Sequence, residues 1–506
     1  MGFIKKYRIE IITLALFTVI YFFIRFTNIL TLPIFTDEAI YVRWAQIAKQ
    51  DANWRFISLT DGKQPMFVWM TILLMRIVKD PLLAGRSISV FSGFFTMIGL
   101  YFLGNELFKN RKLGLICSFL YLIFPFALVY DRMALYDSLV GAFAVWGFYL
   151  EVLLARRLRL DIALIASFVI GGGMLTKTNA FFNLYLLPLT LIFFDFKNKQ
   201  LKQNIIKWIG LCGVVFILSN VYYSILRLSP FFHIITEKNA LFVYPFKQWL
   251  MHPFTYFWGN LLIGEKDWLI KYMTVPILLS VVAAYFIDKK FLKEKIILFI
   301  WFLIPFLYLA LFGNAIYPRF IFFMTLFLLP LAAFTIQRVS LLIPNKKLYI
   351  VFCLAVFSFS FYSDYFIIFS FSKAPIPYSD VNQYNNDWPS GTGVKESIQF
   401  FKDKAKKGKI YIATQGTFGL MPAAYEMYLS DNKNIELKGY WPIEDFVPKE
   451  VLRKSKTMPT YFVFHEPCVP CEGKGLAPVL WEAKSVLQIE KITKSAYFTV
   501  YQISPQ

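Results

Sequence analysis

What most constrains this chain is a recurring apolar run long enough to cross a bilayer. A helix needs about 20 apolar residues to span roughly 30 Å of hydrocarbon. By that length the sequence holds about eleven spans, centred near residues 11–30, 84–107, 113–130, 138–154, 160–175, 180–194, 208–226, 271–287, 296–312, 320–336 and 348–370. The expected fold is an α-helical polytopic membrane protein.

Charge supports that reading. Lys+Arg 53 against Asp+Glu 32 gives +21, yet 57% of residues are hydrophobic and 17% charged, which excludes a disordered, collagenous or small disulfide-rich chain. The cations do not form one face or tail, so nucleic acid is not the expected partner. They cluster between alternate spans: Lys5/Lys6/Arg8, Lys109/Arg111/Lys112, Arg156/Arg157/Arg159, Lys197/Lys199/Lys202/Lys207, Lys289/Lys290/Lys293/Lys295 and Arg338/Lys346/Lys347. The positive-inside rule assigns all of these to the cytoplasm. The first span is too long for a signal-peptide core and reads as an uncleaved anchor. The N-terminus is then cytoplasmic, and an odd number of spans leaves the C-terminus outside.

From Ala374 the composition changes. Pro375, Pro377, Pro389, Gly391 and Gly393 read as a linker between a membrane domain, 1–373, and an extracytoplasmic α/β domain, 374–506. Strands are expected at Lys409–Thr414, Asn434–Leu437, Thr460–His465 and Tyr497–Ile503, and helices around Lys395–Lys406 and Leu420–Ser430.

Function should lie in the outer connections, 31–81, 131–137, 172–179, 227–270 and 313–319. Positive-inside pressure disfavours cations in short outer loops, yet Arg132, Lys177 and Arg319 each occupy one. A shared anionic ligand accounts for all three; ordinary interface anchoring accounts for any one alone. The first outer loop opens with Asp37-Glu38 and closes on Lys63-Gln64-Pro65. A carboxylate at the bilayer boundary is suited to take a proton from an attacking hydroxyl. The competing role for Thr36 or Asp37 is to cap the following helix.

These residues resemble the membrane glycosyltransferases of the GT-C fold, in particular the protein O-mannosyltransferase and aminoarabinose-transferase-like group, over roughly residues 10–370. Asp37-Glu38 matches the family's acidic pair after its first helix. Arg132, four residues and Asp137 match its third-helix pattern. Lys63-Gln-Pro-Met66, Leu175-Thr-Lys-Thr178 and Pro318-Arg-Phe320 are similar to three further motifs, and Arg86 to an Arg opening the second core helix. Departures fall at Ile40, where relatives carry Arg, and at Gly62, where they carry an acid.

The resemblance implies a polyprenyl-phosphate-linked sugar donor in the outer leaflet and a lipid, glycan or protein acceptor. It implies catalytic roles for Asp37, Glu38 and Asp137, and donor-phosphate contacts from Lys63, Arg86, Arg132, Lys177 and Arg319. Gln64 of the loop motif and the outer-side aromatics Tyr136 and Tyr317, which can stack on a sugar face or simply pack, are the candidate substrate contacts. No metal ligand is assigned, and a divalent cation is left open as a cofactor.

Two rivals share this pattern. A transporter or flippase predicts mid-span charges and repeated halves, and a catalytically degenerate scaffold keeps the fold without the chemistry. Cys468 and Cys471 read as a local disulfide in preference to a zinc site, which wants four ligands. His233 and His252 read as solvated or capping residues, and Arg25 and Asp364 as a snorkelling or mutually paired set.

Overall fold

A computed structural model describes residues 7–197, 199–465, 481, 483–492 and 496–505. Lys5, Lys6, Cys468 and Cys471 lie outside them. In hydrocarbon no water is at hand to satisfy backbone polar groups, so each spanning segment must close its own hydrogen bonds as a helix. Seven described helices are long and apolar enough to cross: Arg8–Phe26, Pro81–Phe108, Tyr136–Arg157, Leu201–Leu228, Leu292–Phe312, Pro318–Leu342 and Lys346–Phe369. Gly259–Met273 and Val275–Ile287, bent by 94°, make an eighth if they are one crossing. The remaining expected spans fall on shorter helices, Leu160–Met174, Thr178–Phe193 and the pair Arg111–Leu122 and Pro125–Tyr130.

Burial sorts the helices into centre and rim. Within the most apolar 18-residue stretch of each helix, Pro318–Leu342 is 94% buried and Tyr136–Arg157 83%, whereas Arg8–Phe26 is 11%, Leu201–Leu228 22% and Lys346–Phe369 28%. The rim helices expose Val19, Phe23, Ile217 and Phe359, apolar surface suited to lipid. Small residues bring helices close, as membrane packing requires: a Cβ on Gly104 would lie 2.6 Å from Cys117 Sγ. A buried polar knot fixes the first span. Asp131 accepts hydrogen bonds from Tyr21 (3.0 Å), Tyr121 (3.0 Å) and Ser138 (2.8 Å) and pairs with Arg25 at 3.4 Å. Arg25 is therefore bound inside the protein and does not snorkel.

The loops assigned to the cytoplasm meet one another. Arg156 bridges Glu106 (3.0 Å) and Glu294 (2.7 Å), Arg338 pairs with Asp288 (2.9 Å), and Lys293 reaches the Phe194 carbonyl (3.1 Å).

The C-terminal region is a five-stranded sheet of β1 Ile410–Gln415, β2 Ile435–Tyr440, β3 Thr460–Phe464, β4 Lys484–Glu490 and β5 Tyr497–Ile503, in the order β2-β1-β3-β5-β4. β1 runs parallel to β2 and β3, and β5 antiparallel to β3 and β4. The helices Val394–Ala405, Leu420–Leu429 and Lys449–Ser455 accompany it.

The stretch expected as a linker is instead a strap against the bundle. Its helix, Tyr378–Asn385, buries Asp380, which accepts hydrogen bonds from the phenols of Tyr130 (2.6 Å) and Tyr272. Burial raises Asp380 to about 6 against the pull of those two phenols. The Thr36 N–H donates to the Pro389 carbonyl (2.9 Å) and the Gly391 N–H to the Ile34 carbonyl (2.8 Å). Further out, Arg43 pairs with Glu426 at 2.8 Å. The sheet domain is thus docked on the helix that carries Asp37.

Candidate active site

The acidic pair opens the Thr36–Gln50 helix, where consecutive side chains diverge by about 100°. One can face a cavity only if the other turns away. Glu38 turns in. Its carboxylate accepts from Arg86 Nε (2.8 Å) and Nη2 (2.7 Å), from the Ala134 N–H (2.6 Å), and from the Phe35 N–H (3.0 Å) that would otherwise be orphaned at the helix start. The capping role considered for Thr36 or Asp37 therefore belongs to Glu38. The Arg86 guanidinium also serves the carbonyls of Leu32 (3.1 Å) and Pro33 (3.2 Å) and is fully buried.

Two expected phosphate contacts, Arg86 and Arg132, and one expected catalytic acid, Glu38, lie outside the wall of the cavity that takes Asp37. Arg86 and Glu38 form a structural ion pair away from the cavity. Arg132 donates to the carbonyls of Ile367 (3.1 Å) and Thr27 (2.8 Å) and lines a different cavity.

Asp37 turns the other way, into a cavity of about 760 Å³ that also takes Lys63, Gln64, Tyr136, Asp137, Lys177 and Arg319 in its walls. Arg319 Nη2 lies 3.0 Å from Asp37 Oδ2, and Lys177 Nζ lies 2.7 Å from Asp137 Oδ1. The backbone explains how the two lysines come to share one site: the Met66 N–H donates to the Leu175 carbonyl (3.1 Å), and Gln64 Nε2 donates to Thr178 Oγ1 (2.9 Å). The first outer loop is thereby stitched to the turn carrying Lys177.

Lys63 has no carboxylate at ion-pair distance among the described residues; its Nζ lies 5.2 Å from the centre of the Phe242 ring. Burial lowers its pKa to about 8, Asp37 opposing the shift and Lys177 adding to it. Arg319 Nη1 is buried with no acceptor among the described residues. Tyr317 packs 5.3 Å from the Arg319 guanidinium but is not part of the cavity wall. The Tyr136 hydroxyl is buried without a partner among the described residues, its ring edge-on to Tyr41 at 4.5 Å.

Lys238 and Asn239, on the Ile234–Phe242 helix, were not expected in the site. Lys238 pairs with Asp61 at 2.6 Å and Asn239 Nδ2 donates to Thr178 Oγ1 at 3.2 Å, so this helix roofs the cavity. The signal was present: Lys238 is one more outer-loop cation.

The arrangement offers two carboxylates, each held by a cation, and further donors facing the same space. Among the described residues no group of three or more His, Cys, Asp or Glu could hold a metal ion, and both cavity carboxylates are already engaged. The departures have local reasons. Ile40 is buried in the core. Gly62 adopts φ +66°, and a Cβ there would lie 2.7 Å from the Ile234 carbonyl oxygen, which excludes an acidic side chain.

Comparison with solved structures assigns this helical bundle, with its charged cavity and docked sheet domain, the GT-C fold. Residues 62–223, which include Lys63, Asp137 and Lys177, match the family model described as dolichyl-phosphate-mannose-protein mannosyltransferase. The crystal structure of ArnT from Cupriavidus metallidurans bound to undecaprenyl phosphate superposes with a TM-score of 0.61 at 13% identity, covering 99% of this chain and 100% of that one. The apo form of the same protein gives 0.57 at 11% identity, over 98% and 99% of the two chains. Arabinofuranosyltransferase AftD from Mycobacteria gives 0.50 at 11% identity, with 99% of this chain covering 42% of that one. No curated protein matches the chain at the level of sequence.

Proposed function

We propose that this protein is a membrane glycosyltransferase that takes a sugar from a polyprenyl-phosphate donor and passes it, with inversion, to an acceptor hydroxyl on the outer face of the membrane. The observation that carries this reading is the Asp37–Arg319 contact inside a cavity that also holds Lys63, Asp137 and Lys177. The ligand of the ArnT crystal structure, undecaprenyl phosphate, supports the donor class. The N-terminus is cytoplasmic and the sheet domain extracytoplasmic in this reading, because the basic loops meet one another while the cavity is built from the others.

Asp37 accepts the proton from the acceptor hydroxyl as its oxygen attacks the anomeric carbon. The bond from that carbon to the phosphate oxygen breaks, and its electron pair leaves on the phosphate. Charge therefore grows on the phosphate in the transition state, where preplaced cations gain most. Arg319, with one nitrogen on Asp37, brings its guanidinium charge to the cavity wall beside the phosphate. Lys63 supplies a second point charge. Asp137, paired with Lys177, holds sugar hydroxyls in this scheme, supported by its sharing the cavity wall with Gln64 and Tyr136.

General-base assistance contributes about 10²–10⁴ in rate. Asp37→Asn should lower consumption of a labelled prenyl-phosphate sugar by purified protein by about that factor, with insertion unchanged. Near-normal transfer by the variant removes the proposal, and no turnover by wild type with any lipid-linked sugar favours the scaffold reading.

A further inference from the structure

A second cavity, of about 280 Å³, lies where the ends of the Arg8–Phe26 and Lys346–Phe369 helices meet the strap and the sheet domain. It shares no lining residue with the first. Ile29, Leu32, Ile367 and Phe371 form apolar walls, and Arg132 and Ser372 supply polar ones.

Arg132 is the anomaly. Its side chain is only 6% exposed, yet among the described residues it makes no ion pair. Two of its nitrogens donate to carbonyl oxygens, and its Nε has no acceptor among the described residues. The charged groups acting on it are Arg86 and Arg25, both cations, so burial and like charge together push its pKa below the ordinary value. A buried, uncompensated cation is strongly unfavourable unless an anion completes it. The other buried arginines of this region have theirs, Arg25 with Asp131 and Arg86 with Glu38.

We propose that this cavity binds a phosphate-bearing anion through Arg132, and that the anion is the headgroup of an outer-leaflet phospholipid. Arginine suits phosphate because its planar fork can hold two oxygens. A lipid source follows from position: the two flanking helices are among those least covered by protein, and Phe23, Tyr365 and Phe369 stand exposed along them, where acyl chains would lie. The bound headgroup would join the first span, the last span and the strap, stabilising the docking of the sheet domain. This site is independent of the transfer reaction.

The test uses the full chain in nanodiscs of phosphatidylglycerol or phosphatidylcholine, reading the thermal midpoint, with native mass spectrometry for retained lipid. Wild type should melt higher in phosphatidylglycerol and retain it. Arg132→Gln should cut retention by about tenfold or more and erase the difference between lipids. Ser372→Asp places a carboxylate in the same cavity and should abolish retention while keeping the fold, which decides the matter if Arg132→Gln does not fold. Inorganic phosphate that displaces phosphatidylglycerol at millimolar concentration upholds the anion site and overturns the lipid source. Equal retention by wild type and variants overturns the site.

Discussion

Arg319 Nη2 lies 3.0 Å from Asp37 Oδ2, which couples the proposed base to a proposed phosphate contact. One residue sits in the first turn of the Thr36–Gln50 helix and the other in the Pro318–Ile321 turn that opens a central, largely buried span. In the proposed mechanism one guanidinium thus both meets the leaving phosphate and contacts the carboxylate that takes the proton.

That coupling predicts non-additive kinetics. Arg319→Lys keeps a charge but loses the fork, and should lower kcat/KM for the lipid-linked donor by about tenfold, while Arg319→Gln should lower it by about 10²-fold or more. Adding Asp37→Asn to Arg319→Gln should cost much less than the product of the single effects, because residues in direct contact act as a unit. Steady-state transfer rates of the four proteins check this. Strict multiplicativity shows that the contact is incidental.

Much of this site was legible because the bilayer penalises charge. Lys177 and Arg319 stood out as cations in short loops where topology disfavours them, and both line the cavity. Arg132 stood out for the same reason, but the sequence cannot say whether a side chain turns toward a cavity or toward backbone carbonyls in the interior. Helical geometry carries one further constraint: Asp37 and Glu38 are adjacent, so their side chains diverge by about 100° and only one turns into the cavity. Lys238 lies in a longer outer connection, where a cation stands out less than in a short one. In the sheet domain the four expected strands are present, while β4, an edge strand with mostly exposed or half-buried residues, has too weak an alternation to declare itself.

Lys63 predicts an alkaline limb in the rate profile. Its pKa is lowered from 10.5 to about 8, so the ammonium that would meet the donor phosphate is present below pH 8 and lost above it. In the free enzyme kcat/KM for the donor should fall through a pH near 8, and Lys63→Arg, whose charge does not titrate there, should flatten that limb. The stability effect has the opposite sign. Between about pH 8 and 10.5 the unfolded chain binds the extra proton, so this residue's contribution to stability rises with pH over that window. Identical limbs in wild type and Lys63→Arg assign the titration elsewhere.

Glu38 and Arg86 should behave as structural residues. Both side chains are fully buried, joined through two nitrogens and two oxygens. Removing one partner strands a charge in the interior, which costs about 3–5 kcal/mol. Glu38→Ala and Arg86→Ala should each lower the thermal midpoint sharply and reduce folded yield. Glu38→Gln, which keeps an acceptor for the Ala134 N–H or the Phe35 N–H, should lose less. Variants that melt like wild type but lose turnover would return this pair to the catalytic set.

Gly62 tests whether the roof of the cavity matters. Its φ of +66° is one that a side chain rarely adopts, and a Cβ there would lie 2.6 Å from Lys238 Cβ and 2.7 Å from the Ile234 carbonyl oxygen. Gly62→Ala therefore pushes the Ile234–Phe242 helix outward, and with it Phe242, whose ring faces the Lys63 ammonium. Backbone strain of this kind costs about 1–3 kcal/mol, and most of it should be relieved by shifting this half-exposed helix while the buried spans stay in place. The expected result is a modest drop in thermal midpoint with a raised KM for the donor and a smaller change in kcat, since Asp37 and Arg319 are held by other elements. A parallel loss in kcat with KM unchanged would show that the roof helps to set the reacting geometry as well as donor binding.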